Sequence, residues 1–425
     1  MAKIKEFKGL MYDSDIVGDL SSVVAPHCHA IEEDLIKKMY SAHPFNVIRL
    51  EYPLADESKP GDKYIQVADM LENWLETGIV KYDDSECLYI YEQEYSFRDK
   101  IECSRGIICL VKIEEYENSI VIPHENANTN LYDEYKSDRY NLMKATGAEF
   151  SNIYSLYEDE DKKIEELLKT DTAPDIEFTD DYGTVQRIWR ISNKEKINKI
   201  KELFDNKKLI IADGHIRYET AATYCRKMKN EVVEYTGDEP FNYIMMNIEP
   251  VSEILPRINP VHRLVKNKQN FDEEKIIEAL SEKFNIEKSY IREYDCKKIE
   301  TRLAENKDFR ALGMYTGKDY YYIILPKNPD DYSEMGDAEI LHREILGKFM
   351  GINKDNIKQY IEYAATIREA EESVRENVSN CAFYLNPMSA RKMTEFAKKG
   401  ICMPKRTNCF YPKLMMGIVM NKFDE

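Results

Sequence analysis

The stretch "LIIADGHIRYETAA", residues 209–222, carries an apolar run into a helix through Asp213-Gly214-His215. Leu209 to Ala212 read as a short buried strand, while Tyr218, Ala221, Ala222, Cys225 and Met228 fall on one stripe of a helix. A strand that turns directly into a helix is the elementary joint of a layered α/β protein. Asp213 is placed to cap that helix, and Gly214 lets the backbone come close to a ligand. The unpaired N–H groups at a helix start, with roughly half a positive charge, favour an anion there. His215 and Arg217 add donors, and an arginine can hold a phosphate through two bonds at once. The same letters equally describe a capped surface helix whose His and Arg are merely solvated.

Outward from this joint, helical spacing marks residues 30–42, 63–77 and 193–205, and strand-like runs mark 46–52, 87–95, 106–113 and 241–248. The runs at 87–95 and 106–113 read as antiparallel neighbours. A polar, acidic span at 158–180 reads as a helix with a loop, and Tyr182-Gly183 as a hairpin turn. Further on, a helix at 273–284 precedes strands at 309–315 and 319–325, joined by the turn "TGKD". Helices at 338–350 and 388–399 then flank "NCAFYLNP". Helices mixed with several hairpins predict α/β or α+β layers with mixed sheets, not a purely parallel doubly wound fold. The expected division is an N-terminal α/β region over 1–265, a small α/β subdomain over 266–332, and a C-terminal region over 333–425. The last of these would return the segment "MPKRTNCFYPK" to the site.

A chain of 425 residues exceeds what one core usually organises. With 43% hydrophobic and 32% charged residues, it has the makings of real cores and a solvated surface. The longest apolar runs, such as "GIICLV" at 106–111, fall far short of a membrane span, and the N-terminus lacks a signal-peptide pattern. A cytoplasmic protein is expected. The nine cysteines are scattered without a C-x-x-C pair, which speaks for reduced thiols over a disulfide framework or a structural zinc; no metal site is expected from them. Cys109 and Cys381 lie in apolar runs, as core residues do. A net charge of −18 argues against a general nucleic-acid binder, leaving a small anionic ligand open.

Against that acidic background, three further cationic clusters stand out. "VIPHENANTN" at 121–130 delivers His124-Glu125 at a strand end, a base beside its orienting partner or simply a polar loop. "RINPVHRLV" at 257–265 sets His262 and Arg263 beside proline. "MPKRTNCFYPK" at 403–413 carries Lys405, Arg406, Thr407 and Lys413 among prolines and aromatics. Arg139 reads most simply as a helix-surface cation. There is no Walker-type loop, G-x-G-x-x-G, G-x-S-x-G or H-E-x-x-H. The most economical single explanation is one shared anion, a phosphate or carboxylate.

On these residues the chain resembles the domain-of-unknown-function 1015 family over nearly its full length. The likeness runs through "HPFNVIRLEYP" (43–53), "IPHE" and "SDRYNLMKAT" (within 122–146), "IADGHIRYETA" (211–221), "PVHRLV" (260–265) and "MPKRTNCFYPKLMMGIVM" (403–420). The family's Asp-Gly-His-His-Arg signature is similar to the phosphate-binding motif of the ParB/sulfiredoxin-like fold, some of whose members are free-serine kinases. The resemblance implies a ParB/sulfiredoxin-like core and phosphoryl transfer between a phosphate donor, pyrophosphate or a nucleotide, and a small hydroxyl amino acid such as serine. Ligands of the pyrophosphate, ADP/ATP or phosphoserine kind would follow, with Mg²⁺ a compatible cofactor. Asp213, Gly214, His215 and Arg217 would cradle the phosphates, and Glu125, beside His124, would position or deprotonate the hydroxyl. Arg139, His262, Arg263 and Lys413 map onto further family positions.

Four departures stand against that pattern. Ile216 replaces the second signature histidine, and Asn126 replaces the arginine after His-Glu. "APHCHAI" at 25–31 lacks the family's Tyr-Asp pair but adds His27 and His29. Arg406-Thr407-Asn408 replaces Lys-Ser-Thr. An isoleucine cannot bind phosphate through its side chain, and arginine keeps a lysine's charge but not its geometry. The alternative reading is therefore a catalytically divergent or inactive phosphate- or nucleotide-binding regulatory protein. A ParB-like DNA switch is weaker still, because the chain has no basic stripe. No nucleic-acid or membrane partner is expected, and a homodimer is compatible with the sequence.

Overall fold

The computed structural model describes residues 2–27, 33–56, 58, 61–97, 100–116, 119–125, 133–252, 255–269, 271–290 and 296–423. His29 and Asn126, two positions that depart from the family pattern, lie outside the described residues. The chain forms two compact units. Unit 1 is Met1–Pro256 with Pro412–Glu425, and unit 2 is Arg257–Tyr411.

In chain order, unit 1 contains helix α1 (Ile48–Glu51), α2 (Lys63–Glu76), strands β1 (Leu88–Phe97), β2 (Lys100–Lys112) and β3 (Val121–Pro123), and helix α3 (Asp133–Thr146). These are followed by β4 (Ile153–Tyr157), β5 (Ile176–Thr179), β6 (Val185–Ile191), α4 (Lys194–Phe204), β7 (Leu209–Asp213), α5 (His215–Glu231) and β8 (Tyr243–Pro250). The strands form one sheet in the order β5-β6-β1-β2-β8-β4-β7-β3, and Ile4–Lys5 pairs with β2. Pairs β8·β4 and β7·β3 are parallel, and the others along this path antiparallel. The class is mixed α/β, as the strand–helix joint and the hairpins predict.

Local chemistry explains the elements that frame the site. Asp62 caps α2 by accepting from Tyr64 and Ile65 N–H, and Val67, Leu71 and Trp74 bury one stripe. Asn193 caps α4 through Lys196 N–H, burying Ile197, Ile200 and Phe204. The expected hairpin forms: β1 and β2 pair from Tyr89↔Ile108 to Phe97↔Lys100. One sheet face carries the apolar core, with Ile90, Ile107, Cys109, Ile153, Ile211 and Met246 among its members.

The apolar run at 46–52, expected as a strand, is instead the short helix α1. Asn46 Oδ1 accepts from Ile48 N–H at 3.0 Å and starts the turn, while Val47, Ile48 and Leu50 are all fully buried. A run buried on every side has no periodicity to tell strand from helix. The acidic span 158–180 yields only a five-residue helix, Lys163–Leu167, and the edge strand β5.

In unit 2, strands β9 (His262–Val265), β10 (Phe284–Tyr290), β11 (Leu312–Tyr315), β12 (Tyr320–Pro326), β13 (Ile361–Ala364) and β14 (Cys381–Tyr384) form a sheet in the order β10-β12-β11-β14-β9-β13. Where the sequence suggests a break near residue 332, the sheet runs on: β11 pairs with β14, and Tyr332 joins the same core as Leu312 and Phe383. No helix among the described residues is long and apolar enough to cross a membrane.

Candidate functional site

The joint that opens α5 differs from its expected form. Asp213 is not the cap. It is the last residue of β7, paired with Tyr154. Gly214 takes the capping position at φ +93°, and having no side chain it adds no cap hydrogen bond of its own. A Cβ at this position would lie 3.2 Å from Ile153 Cγ1 and 3.5 Å from Arg217 Cζ, so glycine is needed for both angle and space. The helix therefore starts without the side-chain cap that a Ser, Asp or Asn would give.

Charged side chains gather around this start. Asp213 Oδ2 lies 3.5 Å from His27 Nδ1 and 3.6 Å from Lys413 Nζ. The lysine nitrogen is buried and has no hydrogen-bond partner among the described residues. His124, 1% exposed, donates from Nδ1 to Ile211 O at 2.6 Å, which turns Nε2 towards Glu125 Oε1 at 3.5 Å. Its ring centroid is 4.7 Å from that of His215. Asn152, one residue before β4, is 4% exposed, and both its amide atoms lack a partner among the described residues. Buried polar groups are rarely left so; an amide and an ammonium with unused donors mark a place made for an acceptor.

Arg217 folds back from the first turn of α5. Its Nη1 donates to Ser151 Oγ at 2.7 Å and to Asn152 O at 3.1 Å. Ser151 Oγ in turn donates to Glu51 Oε1 at 3.1 Å, and Arg139 Nη1 reaches the same oxygen at 3.1 Å. Arg139 is not the surface cation its sequence suggests: it is 5% exposed, and its Nη2 is held by Asp138 at 2.7 Å. A carboxylate facing inward from α1 draws it in. Glu51, Ser151 and Asn152 are the residues that sequence reasoning missed. The signal was present in "HPFNVIRLEYP", where a lone acid closes a largely apolar run.

The sheet face carrying Asp213 is polar. Across it lie Tyr154 and Asn247, in register with Asp213, and then Glu249, whose Oε2 accepts from Tyr154 Oη at 2.7 Å. Burial raises the Glu249 carboxyl to about 7, and that of Glu149 likewise. Gly106 leaves the needed space, since a Cβ there would sit 2.6 Å from Glu249 Cγ.

Of the residues singled out from sequence, the structure brings together His124, Glu125, Asp213, Gly214, His215, Arg217 and Lys413, with Arg139 joined through Glu51 and Ser151. His262, Arg263, Lys405, Arg406 and Thr407 belong to unit 2, because the boundary falls between Tyr411 and Pro412. There His262 Nδ1 accepts from Leu385 N–H at 3.3 Å, and burial followed by the neighbouring Arg263 charge lowers its pKa to about 3. Arg263 is fully buried, with Nη1 on Val261 O at 2.6 Å, Nε on His342 Nε2 at 3.2 Å and Nη2 on Lys405 O at 3.4 Å. Arg406 lies over the Tyr363 ring, and Thr407 Oγ1 donates to Pro404 O. Among the described residues no three His, Cys, Asp or Glu side chains are grouped to hold a metal ion.

With this geometry in view, a family model described as "Protein of unknown function (DUF1015)" matches residues 4–347. The chain belongs to the DUF1015 family. No curated protein matches it. Among solved structures, DUF1015 as seen in this chain shows a distant likeness to a free serine kinase in complex with AMP, at 11% identity and a TM-score of 0.33, covering 68% of this chain and 83% of that one. A conserved hypothetical protein from Pyrococcus furiosus matches at 12% identity and a TM-score of 0.32, covering 69% of this chain and 90% of its own. C-terminally truncated SbnI from Staphylococcus aureus matches at 11% and 0.36, covering 73% and 85%.

Proposed function

We propose that unit 1 binds a phosphate-bearing ligand at the start of α5 and transfers a phosphoryl group between it and a small hydroxyl amino acid. The observation that carries this reading is a pair of unused buried donors, Lys413 Nζ beside Asp213 and Asn152 Nδ2 beside the Arg217 contact, at a helix start whose cap is a glycine. Phosphate oxygens would satisfy both at once. Phosphoryl transfer asks chiefly for positioning and charge neutralisation, and cationic groups around a helix terminus supply both.

In the forward step the acceptor hydroxyl oxygen bonds to the terminal phosphorus, and the bond from phosphorus to the leaving phosphate oxygen breaks. The hydroxyl proton passes to Glu125, which His124 Nε2 faces at 3.5 Å. Lys413, Arg217 and the helix start hold the negative charge. Were Mg²⁺ used, Asp213 or Glu125 would hold it, and it would supply neutralisation of the phosphate charge.

Phosphorus NMR on L-serine with pyrophosphate, ADP or ATP and Mg²⁺ is expected to show phosphoserine. Arg217→Ala is expected to abolish phosphate-induced thermal stabilisation, which for the parent is roughly 2.7 kcal/mol at a hundredfold excess over Kd. No turnover across the donor panel removes the transfer. Ile216 at the second signature position favours one other reading, a regulatory protein that binds phosphate or nucleotide without chemistry. It predicts stabilisation without turnover, and unchanged phosphate binding in Arg217→Ala removes both.

A further inference from the structure

Beneath the first turns of α5 lies a pocket with about 420 Å³ of empty space, open solvent at its mouth included. Glu51, Arg139, Glu149, Ser151, Arg217 and Thr220 supply its polar lining, and Leu142, Phe150 and Ile244 contribute apolar wall. Ser151 is the hub. Its hydroxyl accepts from Arg217 Nη1 and donates to Glu51 Oε1, tying an acid and a guanidinium together without letting them meet. Each keeps one edge unused: among the described residues, Glu51 Oε2 and Arg217 Nε and Nη2 make no hydrogen bond. Thr220 Oγ1 is an independent sign. It is 1% exposed and has no partner, although Thr223 on the same helix bonds back to Glu219 O at 2.8 Å in the ordinary way. A buried hydroxyl that leaves its own helix unbonded is free for something else.

The geometry points to this pocket as the acceptor subsite, taking a small zwitterionic amino acid, its ammonium on Glu51 Oε2 and its carboxylate on Arg217 Nη2 and Thr220 Oγ1. Glu51, paired with Arg139 through Oε1 only, and Arg217, held apart from it by one hydroxyl, match the separated charges of a zwitterion. Arg217 lines the pocket and also lies against Gly214, so an acceptor seated here adjoins the helix start. The inference rests on the phosphotransferase reading only for calling the guest an acceptor.

The test is equilibrium dialysis of the full chain with radiolabelled L-serine and no phosphate donor, against 3-hydroxypropionate, which lacks the ammonium, and ethanolamine, which lacks the carboxylate. Serine is expected to bind saturably, and each analogue about tenfold or more weakly, because each forgoes one of the two charge pairings. Glu51→Gln is expected to weaken serine about tenfold while leaving 3-hydroxypropionate unchanged. Thr220→Val, which removes a hydroxyl with no bond to lose, is expected to weaken serine severalfold in a normally folded protein. Absence of saturable serine binding, analogues that bind as well as serine, or parental serine affinity in Thr220→Val would each overturn the subsite. Serine binding without phosphoserine formation would fault the transfer reading and leave the subsite standing; phosphoserine formation with parental KM for serine in both variants would do the reverse.

Discussion

In unit 1, Asp213, His215 and Arg217 surround a helix start beside Lys413 and Asn152, whose donors are not used up; in unit 2, Arg263 closes on His342 and on backbone carbonyls, and His262 on Leu385 N–H. Both clusters read alike as letters, a histidine and an arginine at a strand end. Their difference lies in what surrounds them. Arg263 finds acceptors in Val261 O and Lys405 O, and the two imidazoles beside it are stripped of water. Lys413 Nζ, with the Asp213 carboxylate no nearer than 3.6 Å, and the Asn152 amide make no such hydrogen bond among the described residues. A saturated cation holds a fold together, whereas an unsaturated one implies a guest.

The largest expected effect is in acid. Burial, with the Arg263 charge second, lowers His262 and His342 to about 3 each. The unfolded chain would protonate both near pH 6.5, so unfolding takes up protons there that the folded state refuses. These groups therefore cost unit 2 stability as pH falls from about 6.5 towards 3, several kcal/mol for the pair. The imidazole Hε1 shifts are expected to stay flat until close to pH 3. A midpoint near 6 for either ring would place it among titrating surface histidines and break the contrast.

Next in size, Arg263→Met should cost about 3–5 kcal/mol, because it strands His342 and two buried carbonyls. Faster hydrogen exchange in β9 and β14 would report the loss, and unchanged protection would mean that Arg263 is as dispensable as a surface cation. Smallest is Gly214→Ala, at about 1–2 kcal/mol for a side chain at φ +93°. It is expected to lower the melting temperature by a few degrees and to weaken pyrophosphate binding. A variant with parental melting and parental binding would remove Gly214 from the cradle.

Much was legible in the letters. The β7–α5 joint, the β1–β2 hairpin and the apolar stripes of α2 and α4 follow from period and capping, which act over a few residues and need no distant partner. The short helix α1 was not legible, because burial on all sides erases the pattern that separates strand from helix. The role of Asp213 was misread for a related reason. Capping is judged from neighbours in sequence, but its pairing with Tyr154 commits it to the sheet.

The sequence by itself determined the joint, the glycine at its turn and the acidic background against which the cations stand out, since these depend on local backbone geometry and composition. Which cations share a place was decided only by tertiary structure. Glu51, Ser151 and Arg217 are neighbours because α1, the approach to β4 and the first turn of α5 pack together. His262 and Arg263 fold into another core and spend their hydrogen bonds there. Whether a donor is spent or spare depends on acceptors far away in the chain, and only packing brings those near.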